Sequence, residues 1–323
     1  MTAYIIRRLL SVIPITLGVL LLVFLIYRVI GGDPAARLAG KNATPAKIEQ
    51  IRKTFGYDKP KFFNWQEATK TGRPQAVFDS QFWQIVWQFA HLNFGKSLQS
   101  NQRISRMMAD GVVPSLCVTT PIFIIEFAVA IALALICAFY RDTWIDRFFV
   151  ILSIITMSIP SLIYIMLGQY CFAFRLEWFP VWGFESAYYL VLPVAIGIAY
   201  SVGGSLRFYR TIMLDEMYQD YVRTAFAKGA SQRQVLFKHV LKNALIPILT
   251  NVVIAIPFLY TGSLLLESFF GIPGLGRMTV DAIYTGDEPV LFAMVFIGSV
   301  IFVIANLITD LCYTWADPRI RLQ

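Results

Sequence analysis

The acidic residue in the least expected setting is Glu126, near the middle of the apolar run from Leu116 to Phe139. A charged group at the centre of such a run costs at least a few kcal/mol in lipid, so its side chain faces a protein interior or a water-filled path. Two interpretations stay open. Either Glu126 lines a path for a polar solute, or its carboxyl group is protonated or paired and holds helices together.

A second polar pair, Asn306 and Asp310, is spaced i and i+4 in the last apolar run. This spacing places two side chains on the same face of a helix. We expect a structural hydrogen-bonding role for them.

Catalytic motifs are absent from the sequence. It contains no GxxxxGK[ST] phosphate loop, no HExxH and no GxSxG. The glycines of GIPGLG, Gly271 to Gly276, have the wrong spacing for a dinucleotide fingerprint. The four cysteines lie in or beside apolar runs without CxxC spacing, which favours buried small apolar residues over metal ligands. They are Cys117, Cys137, Cys171 and Cys312.

These residues lie in or beside long apolar segments. The chain of 323 residues is 57% hydrophobic and 15% charged, against about 25% charged residues in soluble domains. A bilayer-spanning helix needs about 20 apolar residues, and six runs meet this length. They extend from about Leu9 to Ile30, Leu116 to Phe139, Phe148 to Phe174, Ala187 to Leu206, Ala244 to Leu266 and Val290 to Thr314.

These lengths predict an all-α polytopic membrane protein, because strands of a membrane barrel are about 10 residues long and alternate in polarity. Proline lies inside or at the edge of five runs, which predicts kinks. The first run is too long for a signal-peptide core, so we interpret it as the first membrane helix.

Orientation follows from the basic residues in short connecting segments. A cytoplasmic N-terminus places 13 Lys and Arg residues inside, including Arg319 and Arg321, and 2 in the short outer loops. Both termini are therefore predicted in the cytoplasm. His91 and His239 then lie on opposite sides of the membrane, which excludes a shared metal site. No nucleic-acid-binding motif is present.

This topology predicts three parts of the chain. They are residues 1–30 with the first membrane helix, an outer segment 31–115, and a core of five membrane helices over 116–323 that contains the cytoplasmic loop 214–243. Within the outer segment, residues 63–83 and Trp87 could contact a partner, gate a path, or form a packed cap.

The loop 214–243 is basic and amphipathic. Apolar residues recur at i and i+4, as in Val222 with Phe226 and Leu236 with Val240, so two short helices are predicted with Gly229 and Ser231 at the turn. Such a segment either lies on anionic headgroups or inserts apolar residues into a partner's groove. Periodicity leaves both interpretations open.

The run YVRTAFAKGASQRQVLFKHVLKNALIP resembles the EAA loop of permease subunits of ATP-binding-cassette importers, in particular the B-type permease of the dipeptide and oligopeptide family. Further resemblance lies in GDPA, FGYDKP, NFGKSL, TGSLLLESFFGIPGLGRMTVDAI and DPRIR, spread from Gly32 to Arg321. The loop departs from the general motif because Arg223 stands where that motif has Glu.

The resemblance implies a type I importer permease fold of six helices in the bacterial inner membrane. The partners it implies are a second homologous permease, two cytoplasmic ATPases that bind ATP and Mg, and a substrate-binding protein. The chain itself is then non-catalytic and holds no cofactor. The implied ATPase-coupling residues are Tyr221, Val222, Arg223, Thr224, Ala225, Phe226, Ala227, Lys228, Gly229, Ala230 and Ser231.

The implied substrate is a di- or oligopeptide, and Glu126 is the candidate residue of the translocation path. Relatives of this type also carry nickel chelates or other small solutes, so these stay as alternatives. A secondary transporter is disfavoured because the runs are nearly free of acids other than Glu126 and Asp310. A membrane-embedded enzyme would need a catalytic cluster, and the sequence indicates none.

Overall fold

The computed structural model describes residues 2–40 and 43–316. Helices dominate these ranges, and the only strand-like pairing within them is an isolated bridge between Lys96 and Arg103. The predicted all-α class is confirmed for the described residues. The DPRIR motif, with Arg319 and Arg321, lies outside them.

Two compact units make up the chain. The first unit comprises Met1–Asp110 and Thr279–Ile304, and the second comprises Gly111–Met278 and Ala305–Gln323. The first unit contains α1 (Thr2–Phe24), a π-helical turn (Leu25–Ile30), α2 (Pro34–Ala39), α3 (Pro45–Thr54), α4 (Trp65–Thr71), a 3-10 turn (Pro74–Phe78) and α5 (Gln81–Ala90).

The second unit is built from longer helices. It contains α7 (Trp144–Ser158), α8 (Ser161–Gly168) with a π-helical extension (Gln169–Arg175), α9 (Tyr188–Met217), α10 (Asp220–Ala227), α11 (Gln232–Val235) with a π-helical turn (Leu236–Val240), α12 (Leu241–Thr261) and α13 (Leu264–Phe270). Three helices contribute residues to both units: α6 (Ile104–Phe139), α14 (Leu275–Thr285) and α15 (Glu288–Ala316).

Four helical segments among the described residues are long and apolar enough to cross a membrane. They are Ile6–Ile30, Ile104–Phe139, Tyr188–Met217 and Glu288–Ile308. A fifth candidate is the bent pair Trp144–Ser158 and Ser161–Arg175. These segments match five of the six predicted runs.

The bend in the third predicted run is 88°. Its cause is Pro160, which precedes α8, while Ile159 before it has an extended backbone at φ −93° and ψ 122°. A residue that precedes proline avoids the helical region because the pyrrolidine ring clashes with it. The kink predicted at this proline is confirmed.

The fifth predicted run extends further at its C-terminal end than the helix in the structure. Helix α12 ends at Thr261 rather than continuing to Leu266, because Gly262 adopts a left-handed φ of 75°. The Ser263 side chain then accepts a hydrogen bond from the Leu266 N–H and caps a new helix, α13. Glycine is the residue that adopts positive φ without a steric penalty.

An aromatic core holds the first unit together. The buried ring of Phe24 meets the rings of Phe62 and Phe82 edge-on, at centroid distances of 5.3 Å and 5.4 Å. The stretch 63–83 folds against this core, since the Ser80 hydroxyl donates to the Phe62 carbonyl over 2.6 Å. It still leaves Trp65 exposed.

Candidate functional site

The loop between α9 and α12 has the predicted pair of short helices. Helix α10 ends at Ala227, and Gly229 follows with φ +84°. The Ser231 hydroxyl accepts from the Gln234 N–H while the Gln234 side chain accepts from the Ser231 N–H, which forms a capping box that starts α11. The turn residues Gly229 and Ser231 are therefore correctly predicted.

The inner face of α10 is packed into the core of the second unit. Val222 and Ala225 are buried and share one hydrophobic cluster with Met213 of α9 and Val240 before α12. The predicted partner of Val222, Phe226, is instead exposed. The buried face follows the i, i+3 spacing rather than the i, i+4 spacing, and both spacings lie on one side of a helix.

The outer face of α10 combines one aromatic ring with small and charged residues. Phe226 is 43% exposed, and its exposed neighbours are Arg223, Thr224, Ala227, Lys228 and Gly229. Open space surrounds Gly229, since a Cβ added there would meet no atom within 4 Å. A partner's backbone could therefore approach this turn closely.

Tyr221 joins the loop to the preceding helix. Its hydroxyl donates to the carboxylate of Glu216 near the end of α9. Burial and this hydrogen bond raise the pKa of Tyr221 above its usual value. The phenol is therefore neutral at physiological pH and acts as a hydrogen-bond donor.

A buried ion pair between α7 and α9 was not predicted from the sequence. Arg210 of α9 donates from Nε to Asp146 Oδ1 over 2.6 Å and from Nη2 to Asp146 Oδ2 over 2.7 Å. Asp146 is 3% exposed and also accepts from the Asp142 N–H. Two charges of opposite sign at the ends of apolar runs were the available signal, but their 64-residue separation gave no reason to pair them.

Comparison with known proteins decides what kind of chain carries this loop. Residues 130–322 match the family of binding-protein-dependent transport system inner membrane components. Residues 1–119 match the N-terminal part of such membrane components. The chain belongs to this transport permease family. It is an inner-membrane protein, and the resemblance identified from its motifs is confirmed.

Relatives of the permease match along its whole length. A peptide transport system permease protein from Brucella abortus strain 2308 is 34% identical over 330 positions, which cover 99% of each chain. The glutathione transport system permease protein GsiC of Salmonella typhimurium strain LT2 is 34% identical over 326 positions, covering 100% of both chains.

Glu126 of the permease lies on α6 and is 7% exposed. Its Oε1 atom is buried and has no hydrogen-bond partner among the described residues. Ser205 on α9 is a hydrogen-bonding neighbour of the carboxyl group.

Asn306 and Asp310 lie one turn apart on α15, and both are half-buried.

The cysteine prediction holds in part. Cys137 is buried, Cys117 is half-buried, and Cys171 is exposed, which differs from the prediction because its helical turn leaves that face uncovered within the chain. The Cys312 side chain lies outside the described part. No group of three His, Cys, Asp or Glu residues within the described ranges could hold a metal ion.

A second buried acid, Glu267 of α13, was also missed. It is fully buried, and its two carboxylate oxygens accept backbone N–H bonds from Ser263 over 3.0 Å and Arg277 over 3.1 Å. A Cβ atom at Gly262 or Gly274 would lie 2.2 Å or 2.3 Å from this carboxylate. The glycines of GIPGLG are thus explained in part by the close approach of a carboxylate to the backbone.

Proposed function

We propose that the permease pairs with a second homologous permease to form the translocation path of an ATP-binding-cassette importer for di- or oligopeptides. The named activities of the relatives support the substrate class, since they are peptide and glutathione transport permeases. The proposed coupling to ATP hydrolysis is supported by the packing of α10. One face of this helix is packed into its unit, and the other face is exposed.

In this proposal, residues Tyr221 to Ser231 dock into a groove of a cytoplasmic ATPase, with Phe226 as the apolar anchor. The small residues Ala227 and Gly229 allow close approach of the ATPase backbone. Because Val222 and Ala225 are packed among side chains of α6, α9 and α12, a force on α10 is transmitted to these helices rather than lost in a flexible loop.

The proposed topology has six membrane helices and both termini in the cytoplasm, supported by the excess of basic residues in the segments assigned to that side. A substrate-binding protein then delivers peptide to the outer segment 31–115. ATP and Mg are bound by the two ATPase subunits. The permease itself catalyses no reaction and carries no cofactor.

Glu126 is proposed to act in the translocation path once the helices move. Its unpartnered, buried oxygen supports this role, because a carboxylate oxygen without a partner is costly unless another state supplies one. The α-ammonium group of a peptide is a suitable partner. We expect Glu126→Gln to lower peptide uptake at normal membrane abundance, and Asp310→Asn to serve as the control.

The proposal is tested by co-purification and reconstitution. The tagged permease is expected to bring a second permease and two ATPase chains with it. Liposomes that contain this assembly, supplied with the substrate-binding protein, should take up trialanine only when ATP is present on the side of the membrane that holds the ATPases. The purified permease alone should hydrolyse no ATP. Uptake of a nickel chelate without uptake of trialanine would contradict the peptide assignment.

A further inference from the structure

The first unit contains a cavity of about 430 Å³ that the transport proposal does not use. We call it the cationic pocket. Its lining includes Arg28, Lys53, Lys59, Gln81, Gln84 and Gln88. The volume falls in the range of small-molecule sites, about 300–1,000 Å³.

Arg28 is the fixed cation of the pocket. Its side chain is 10% exposed, its Nε lies 3.0 Å from Glu288 Oε2, and its Nη1 donates to Gln81 Oε1 over 3.1 Å. The guanidinium also lies 4.5 Å from the centre of the Tyr57 ring. These contacts hold the positive charge at one wall before any ligand arrives.

The Glu288 carboxylate does not offset the whole charge of Arg28, because it also pairs with Arg37 at 2.5 Å. Two arginines share one buried carboxylate. The nearby Asp287 carboxylate is occupied by the Ser97 hydroxyl and the Leu98 N–H.

The other two cations are held more loosely. Lys53 has no ion pair within the described ranges and is exposed. Lys59 pairs with Asp79 at 2.5 Å, but both groups are more than a third exposed, and such pairs are weak. None of the lining residues is acidic.

Tyr57 adds no negative charge. Burial raises the pKa of its phenol to about 12, against the opposing effect of the Arg28 charge. The pocket therefore presents cations and neutral polar groups, and it favours a negatively charged ligand.

Gln84 and Gln88 also line the pocket, four residues apart on α5. Neither side chain is hydrogen-bonded within the part of the chain that the structure describes. A glutamine amide both donates and accepts, so two of them can pair with the N–H and carbonyl of a peptide group. This feature favours a peptide over a simple inorganic anion.

We propose that the cationic pocket binds the C-terminal end of a short peptide, with Lys53 and Arg28 facing its carboxylate and the glutamines facing the adjacent peptide group. This inference rests on the peptide part of the proposed function. It adds a peptide site in the first unit, distinct from Glu126 in the second.

The test uses the assembled transporter in lipid nanodiscs without the substrate-binding protein. Calorimetry measures binding of trialanine and of trialanine amide, which lacks the terminal carboxylate. A photoreactive trialanine analogue locates the site by mass spectrometry. The variants are Lys53→Gln and, as a matched control outside the pocket, Lys61→Gln.

We expect Lys53→Gln to weaken trialanine binding about tenfold, the effect of losing one hydrogen bond to a charged group, and the amide to bind the unmodified protein similarly weakly. Lys61→Gln should bind like the unmodified protein, and the photolabel should attach to residues 53–59 or 81–88. Equal binding of the peptide and its amide, an unchanged affinity in Lys53→Gln, labelling elsewhere, or equally effective competition by inorganic phosphate would each overturn the proposal.

Uptake by the unmodified assembly separates the two proposals. If liposomes accumulate trialanine but Lys53→Gln binds it normally, the pocket assignment alone fails. If they accumulate none, the transport assignment fails, whereas Lys53-dependent and carboxylate-dependent binding would still support the pocket.

Discussion

Arg210 on α9 and Asp146 on α7 form an ion pair joined by two hydrogen bonds, with Asp146 almost fully buried. We predict that Asp146→Ala destabilises the permease by about 2–3 kcal/mol, because it leaves Arg210 partly buried without its counter-charge. Thermal unfolding of the purified assembly measures this effect.

The exposed pair of Asp220 and Arg223, at 3.6 Å, provides the control. Asp220→Ala should leave the unfolding temperature unchanged, since exposed pairs contribute little. A loss as large as that of Asp146→Ala would show that burial is not the cause.

A substitution at Gly229 can distinguish an effect on folding from an effect on the proposed coupling. Its φ of +84° disfavours any side chain, but the space around it is open, so Gly229→Glu should cost about 1–2 kcal/mol of backbone strain and still reach the membrane. We predict loss of peptide uptake with continued ATP hydrolysis, because in the proposed docking the added charged side chain would separate α10 from the ATPase. Uptake and ATPase rates are measured on the same liposomes.

Gly72→Glu is the matched change, since Gly72 also has a positive φ, +64°, and open surroundings, but lies in the outer segment. It should carry the same strain and leave coupling normal. Normal uptake by Gly229→Glu at normal abundance would remove the docking assignment.

Both carboxylate oxygens of Glu267 accept hydrogen bonds from backbone N–H groups. We predict that Glu267→Gln lowers stability by about 1–3 kcal/mol, because the amide NH₂ must face a backbone N–H that previously donated to the carboxylate. Gly274→Ala should also destabilise, as its Cβ would approach Glu267 to 2.3 Å. Gly204→Ala is the control, because its Cβ meets nothing and alanine suits a helix.

Stability should also depend on pH through Glu267. Burial raises the pKa of this carboxyl above 4.5, although hydrogen bonds from Ser115 and the backbone lower it. The folded state then binds the Glu267 proton more tightly than the unfolded state. The stabilisation that this proton provides is therefore fully present below pH 4.5, and it is lost as the pH rises through the raised pKa. The stability difference between the unmodified protein and Glu267→Gln should therefore shrink from below 4.5 toward neutral pH, as measured by unfolding temperature.

The helical class, the position of the loop and its turn could all be predicted from the amino-acid sequence. Long apolar runs dictate membrane helices because the backbone must satisfy its own hydrogen bonds in lipid. Gly229 and the capping pair Ser231 and Gln234 act within a few residues of the chain. Local signals of this kind are readable without knowledge of the fold.

Which face of α10 is buried, in contrast, depends on tertiary packing. Val222 shares a side of the helix with both Ala225 and Phe226, and long-range packing selects Ala225 for the core. The same holds for Asp146 with Arg210 and for Glu267 with its glycines. These contacts depend on where segments that are distant in the sequence, or separated by a bend, come together in the fold. Hydrophobic periodicity carries no information about that.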